Sequence, residues 1–141
     1  MKSRAFTLVE ILIVVVILGI LAAIVIPQFT EASDDARDSA LKTNLQTVRG
    51  QLSLYRVQHN GNWPTAAKFV DQMTKVSKAD GSTAEVGTDG YPYGPYLQSV
   101  PANPYTGGNK IGSGAAGSSD WYYDEDTGDF RANDTADHRT L

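Results

Sequence analysis

Phe6-Thr7-Leu8-Val9-Glu10-Ile11-Leu12-Ile13-Val14-Val15-Val16-Ile17-Leu18-Gly19-Ile20-Leu21-Ala22-Ala23-Ile24-Val25-Ile26 is an apolar run whose only charge is Glu10. As an α-helix rising 1.5 Å per residue, these residues span roughly 30 Å, the thickness of a bilayer's hydrocarbon core. A carboxylate inside such a span costs a few kcal/mol or more, so it needs a function or a partner. Lys2 and Arg4 precede the run and place the N-terminus in the cytoplasm by the positive-inside rule, which sends the rest of the chain across the membrane. The run is longer than the apolar region of a disposable secretory signal, and no Ala-x-Ala site follows it. Residues 6–26 are therefore expected to stay with the protein.

Working outward, the pattern turns amphipathic beyond Pro27. Leu41, Leu45, Val48, Leu52 and Tyr55 recur at spacings of four and three, with Asp34, Asp35, Arg37, Asp38, Lys42, Asn44 and Arg49 between and before them. That is a one-faced helix whose apolar stripe must cover something. Asn60-Gly61 and Trp63-Pro64 end it. Residues 6–58 thus read as one long helix, kinked at Pro27 by a missing donor and a ring clash, with Gly19 as a second weak point. The segment between Gly19 and Pro27 is expected to be the part most able to bend.

Residues 59–141 read as a small mixed region. Ala66 to Met73 suggests a short helix with Thr65 as N-cap. Residues 77–90 read as a polar loop, with a short strand expected around 84–86. Tyr96, Leu97 and Val100 lie among Pro95, Pro101 and Pro104 and suit an edge strand or a packed extended segment. Residues 107–119 read as a flexible Gly/Ser loop, and residues 133–141 as a fraying tail. Trp121-Tyr122-Tyr123 and Asp129-Phe130-Arg131 flank Glu125-Asp126-Thr127-Gly128, a hairpin signal. The expected fold class is α+β, a long helix packed on a small antiparallel sheet.

The chain has 141 residues, a net charge of −4 and no cysteine, which excludes disulfides and thiolate metal sites. An acidic chain without a basic stripe does not suit nucleic acid. His59 and His138 lie far apart without cysteine companions, so zinc is not expected. No Ser/His/Asp or phosphate-loop pattern emerges, so the chain does not read as an enzyme. Asp124, Asp126 and Asp129 alternate oxygens that suit calcium, but the full calcium-loop spacing is missing, and a solvated turn is the plainer reading.

What can Glu10 pair with? A cut between Ala5 and Phe6 would create an α-amine at the same depth. A neighbouring helix displaced by about one turn would then present that cation to the carboxylate. Copies without the match leave a charge unpaired in hydrocarbon, which sets the register of a head-to-tail polymer.

Phe6-Thr7-Leu8-Val9-Glu10-Ile11-Leu12 after a short cationic leader resembles the class III signal of the type IV pilin-like superfamily, with Gly19, Pro27 and Gln28-Phe29 following the same pattern. The C-terminal part, through Gly94-Pro95-Tyr96-Leu97, Val100 to Pro104 and the terminal hairpin, is most similar to the major pseudopilins of type II secretion. The resemblance implies a leader at residues 1–5, cleavage between Ala5 and Phe6 by a prepilin peptidase, and methylation of the Phe6 amine. Glycine usually precedes the cut in that family, and this chain has Ala5 there. It further implies that Glu10 pairs with a neighbour's N-terminus in a periplasmic filament serving protein secretion. Implied partners are further copies of the chain, the inner-membrane assembly platform and minor pseudopilins. Calcium in a C-terminal loop is also implied. The precursor is implied to be a single-pass inner-membrane protein with its C-terminal region in the periplasm. True type IV pilins share the N-terminal arm, so a pilin for adhesion, motility or DNA uptake is the alternative.

Overall fold

The computed structural model describes residues 7–141. In chain order it contains α1 (Leu8–Gln58), a 3-10 turn (Ala66–Lys68) running into α2 (Phe69–Thr74), β1 (Val76–Ser77), β2 (Thr83–Ala84), β3 (Ile111–Gly112), β4 (Trp121–Asp124), β5 (Asp129–Ala132) and a last 3-10 turn (His138–Thr140). The chain divides into two compact units after Arg37. The α1 helix contributes to both.

In the first unit α1 is long and apolar enough to cross a membrane, and its apolar segment is 0% buried. Its side chains stand exposed on every side, from Leu8 at 82% through Ile17 at 50% to Ile26 at 64%. A soluble helix hides one stripe; a helix apolar all round belongs in lipid or among other helices.

The second unit is built on the predicted stripe. Leu41, Leu45, Val48, Leu52 and Tyr55 are all buried, together with Phe69 and Met73 from α2 and Trp121, Tyr123, Phe130 and Ala132 from the hairpin. The β4–β5 hairpin is antiparallel, with Trp121 opposite Ala132 and Tyr123 opposite Phe130, so the four inward residues share one face. Phe69 meets Tyr123 edge-on at 4.5 Å, and Trp121 stacks on Phe130 at 5.2 Å. The hairpin is anchored at both ends of β4: Trp121 Nε1 donates to the Pro101 carbonyl at 2.8 Å, and the Tyr123 hydroxyl to the Pro64 carbonyl at 2.7 Å.

Several expectations need correction. Thr65 makes no side-chain cap; its backbone N–H donates to Gln72 Oε1 at 2.8 Å, and the helix behind it opens as a 3-10 turn. The short strand is β2 at Thr83–Ala84, paired with a β1 that the polar sequence did not announce. Of the two forms expected for Tyr96, Leu97 and Val100, the packed one is found: all three are buried and form no strand, because the flanking prolines remove ladder donors. The Tyr96 and Leu97 N–H groups both turn to the Met73 carbonyl instead. The main sheet is mixed, since β3 joins β4 in parallel. That strand lies inside the expected flexible loop, which is tied down through Asn133, whose side chain donates to Ser119 Oγ at 2.8 Å. The tail is also held: His138 pairs with the Asp134 carboxylate at 2.6 Å, and Arg49 donates to the Leu141 carbonyl at 3.1 Å.

The hairpin turn sets up a clean comparison. Gly128 and Gly107 share φ +74°, but a Cβ at Gly128 would stand 2.4 Å from the Trp63 ring, whereas nothing lies within 4 Å at Gly107. Gly107→Ala is expected to lose about 1 kcal/mol from backbone strain, and Gly128→Ala about 2–4 kcal/mol once the ring must move. Thermal unfolding of the detergent-solubilised chain checks the order. The buried tyrosines supply a second expectation. Burial pushes the Tyr55 phenol up to about 12, with Tyr96 and Asp80 adding to the shift, and burial raises Tyr123 as well. These groups stay neutral in the fold while the unfolded chain ionises near pH 10, so their stabilisation is intact below pH 10 and drains away towards pH 12. Phenolate absorbance should therefore rise in two stages, the later one coinciding with loss of the far-UV helix signal.

Candidate assembly site

The sequence singles out Ala5, Phe6, Glu10, Gly19 and Pro27. Ala5 and Phe6, the expected cleavage and amine positions, lie outside the described residues. Glu10 sits in the first turn of α1, three residues after Thr7. One carboxylate oxygen, Oε2, accepts the Thr7 backbone N–H at 2.9 Å and the Thr7 hydroxyl at 3.0 Å. Thr7 Oγ1 in turn accepts the Glu10 N–H at 3.2 Å. This reciprocal pair is a capping box: it satisfies helix-start donors that nothing else in an apolar segment could satisfy.

The lone acid therefore already has a partner in its own chain. The second carboxylate oxygen, Oε1, accepts no hydrogen bond among the described residues. A Thr-x-x-Glu spacing ahead of an apolar run is the sequence signature of this cap, visible beforehand but hidden behind the question of membrane depth. Glu10 and Thr7 are both exposed, so Oε1 is open to a neighbouring cation.

Gly19 and Pro27 are brought nowhere near Glu10's chemistry. Both fall inside α1, which is continuous from Leu8 to Gln58, and a Cβ at Gly19 would touch nothing within 4 Å. Among the described residues no second side chain packs on that glycine.

The acidic turn was the other candidate. Asp124 Oδ1 accepts the Asp126 N–H at 2.9 Å, Asp129 pairs with Arg131 at 2.6 Å, and Glu125 Oε2 accepts the Ala66 N–H at 2.5 Å. The carboxylates of Asp124, Glu125 and Asp129 are turned towards donors of the chain, whereas that of Asp126 has no partner among the described residues. Among the described residues no group of three or more His, Cys, Asp or Glu side chains is arranged to hold a metal ion. Asp124, Asp126 and Asp129 form no such group, and the turn is a hydrogen-bonded hairpin end.

One pairing escaped the sequence. His59 Nε2 lies 3.0 Å from Ser77 Oγ, and its Nδ1 lies 2.8 Å from the Tyr55 carbonyl. The carbonyl fixes the proton on Nδ1, so Nε2 accepts from the serine. With Ser77 at 0% and His59 at 1% exposure, and Tyr55 stacked on the imidazole at 3.6 Å, the pair pins the end of α1 to β1. Among the described residues no carboxylate backs the imidazole as in a hydrolytic triad.

Comparison with known proteins bears on the whole chain. The prokaryotic N-terminal methylation motif matches residues 1–26. Over 104 residues the chain is 32% identical to type II secretion system core protein G of Pseudomonas aeruginosa, a match covering 74% of this chain and 69% of that protein. The protein of the same name from Klebsiella pneumoniae is 30% identical over 104 residues, covering 74% of this chain and 70% of its own length. A shorter match, 38% over 61 residues, reaches the type IV narrow pilus major component PilA5 of Thermus thermophilus, covering 43% of this chain and 53% of that one. No solved structure matches the chain.

Proposed function

Since this chain belongs to the type II secretion system core protein G family, we propose that it is a structural subunit, made as a membrane-anchored precursor, cleaved, and polymerised into a periplasmic filament that drives protein secretion. The observation that carries the mechanism is Glu10, half engaged in its own helix cap and half open. Cleavage between Ala5 and Phe6 by a prepilin peptidase would leave an ammonium one residue before that cap. The ammonium of the next copy then approaches Oε1, while Thr7 keeps hold of Oε2. In hydrocarbon such a pair is strong enough to set register, most of its gross energy offsetting desolvation.

The apolar part of α1 serves two states. Lipid covers it in the stored monomer, and the same segments of other copies cover it in the filament. Gly19 and Pro27 loosen the helix between those states, Pro27 through its missing N–H and Gly19 through its weak helix propensity. Inner-membrane anchoring with the second unit in the periplasm follows from Lys2, Arg4 and the apolar span. The assembly platform and minor pseudopilins are the partners this role requires.

The match to a type IV narrow pilus component favours a second reading, a pilin acting at the cell surface. It covers less of the chain than the secretion relatives do, and the two readings differ in where the filament ends.

The test is made in a secretion-competent host. Mass spectrometry should find the native protein beginning at a methylated Phe6, with residues 1–5 gone. Glu10→Leu should still be cleaved, but should lower the sheared filament fraction about tenfold or more, the factor that ~1.4 kcal/mol per contact supplies. Wild-type yields from Glu10→Leu, or a working protein still starting at Met1, would rule the mechanism out.

A further inference from the structure

A cleft of about 520 Å³ opens in the second unit where α1 ends, between the 3-10 turn, the β1–β2 connection and the β4–β5 turn. Its charged lining is mostly acidic: Asp80, Glu125 and Asp126 against Arg56. Arg56 is already occupied, donating to the Gly61 carbonyl at 3.2 Å and lying 4.8 Å over the Trp63 ring. The acids keep free oxygens. Asp80 gives Oδ1 to the Ser82 N–H and hydroxyl, which hold its carboxyl below the usual range and leave Oδ2 open. Glu125 keeps Oε1, and the Asp126 carboxylate has no partner among the described residues.

A second observation comes from the wall of the cleft. Tyr55 is 1% exposed, yet its hydroxyl has no hydrogen bond among the described residues. It lies beside Gly81, itself a lining residue, and within reach of the Asp80 charge. That hydroxyl is the part of Tyr55 that faces the cleft, where a polar group entering from outside can meet it. The carboxylates are not arranged to hold a metal ion. A compact cation with several donors suits them better, and a lysine ammonium has three.

Which cation? Among the described residues Arg37, Lys75 and Arg131 are ion-paired, Arg49, Arg56, Lys110 and Arg139 donate to carbonyls, and Lys78 lies over Tyr91. Lys42 and Lys68 are left without any contact of these kinds. Lys68 stands three residues after Thr65, which lines the cleft, so it is tied to the same part of the surface as the cleft and is badly placed to enter the same cleft of another copy. Lys42 lies on α1 thirteen residues before Tyr55, roughly 20 Å along the helix. A donor and an acceptor on separate surfaces of one chain make a heterologous contact that repeats without closing.

We infer that this cleft is a docking site for the Lys42 side chain of a second copy, received by Tyr55, Asp80, Glu125 and Asp126. The inference rests on the filament reading above and deepens it. The copy that delivers Lys42 is offset by roughly 20 Å along α1. The neighbour that meets Glu10 is offset by about one helical turn, so each subunit is read by two different neighbours.

Charge reversal tests it in the full chain. Asp126 is exposed and only its backbone serves the turn, so Asp126→Lys leaves the fold intact, which an unchanged unfolding temperature confirms. Asp126→Lys and Lys42→Asp should each lower sheared filament about tenfold with normal N-terminal cleavage, and the double variant should recover most of the loss. Because the chain has no cysteine, Lys42→Cys and Asp126→Cys can be placed on two differently tagged copies and oxidised in the filament. A disulfide joining the two tags is expected, and none when Lys68→Cys replaces Lys42→Cys. Wild-type assembly by either single reversal, no recovery in the double, or equal cross-linking through Lys68→Cys would overturn the assignment. Weakened assembly by Asp126→Lys without the Lys42 cross-link would give the cleft to another protein's cation and refute the second copy. A wild-type chain that forms no filament would remove the polymer reading and this inference together, whereas an assembling wild type with indifferent reversals removes this inference alone.

Discussion

Among the described residues the apolar half of α1 has nothing in its own unit to lie against, and the other features answer to that fact. Lipid tails cover such a surface about as well as neighbouring helices do, so apolar burial alone favours neither the stored monomer nor the polymer. What tips the balance must be polar. In this chain the polar groups available are few: one acid in the span, an expected amine at its head, and the charges of the second unit. On the proposed reading, register and direction come from a handful of charges laid over a large but indifferent apolar surface.

The second unit shows how a small fold can hold without disulfides. Its strands are two to four residues long, too short to stand by themselves, and its core is completed by the α1 stripe. The long connections are fastened by side chains to backbone. Asn103, fully buried, donates to the Asp120 carbonyl at 2.9 Å and to Asp134 at 3.0 Å, and it accepts the Tyr105 N–H at 2.9 Å. Asp134 also takes His138, whose ring lies 4.3 Å from that of Tyr105. Only Asn133 Oδ1 is left buried without a partner among the described residues. Polar staples of this kind replace the covalent ones that a chain without cysteine cannot make.

What could be read in advance followed from periodicity. The spacing of Leu41, Leu45, Val48, Leu52 and Tyr55 marked the core face of α1, and Trp121-Tyr122-Tyr123 with Gly128 marked the hairpin. What escaped was set by distant partners. Strands β1 and β3 are two residues each, and Ser77 and Ile111 belong to strands only because Thr83 and Trp121 stand opposite. The tail is ordered by Arg49 and Asp134, contacts that no local composition reveals. The cleft is of the same sort, since Tyr55, Asp80 and Asp126 are far apart in sequence and meet only in the fold. The capping box was different. Thr7 and Glu10 are three residues apart, and the local rule was available.

That cap changes how the acid in the apolar span should be weighed. Were Glu10 bare, a monomer in the membrane would bear the full cost of a buried charge, and assembly would recover all of it. With Oε2 already holding two Thr7 donors, the monomer bears less, and on the proposed pairing a neighbour's ammonium gains only what Oε1 still has to offer. The precursor is thus tolerable in lipid, and the polymer contact is weaker than a bare-charge picture implies. On the proposed pairing, one charge pair in the membrane then leaves part of the assembly energy to be supplied by contacts between the folded second units of different copies.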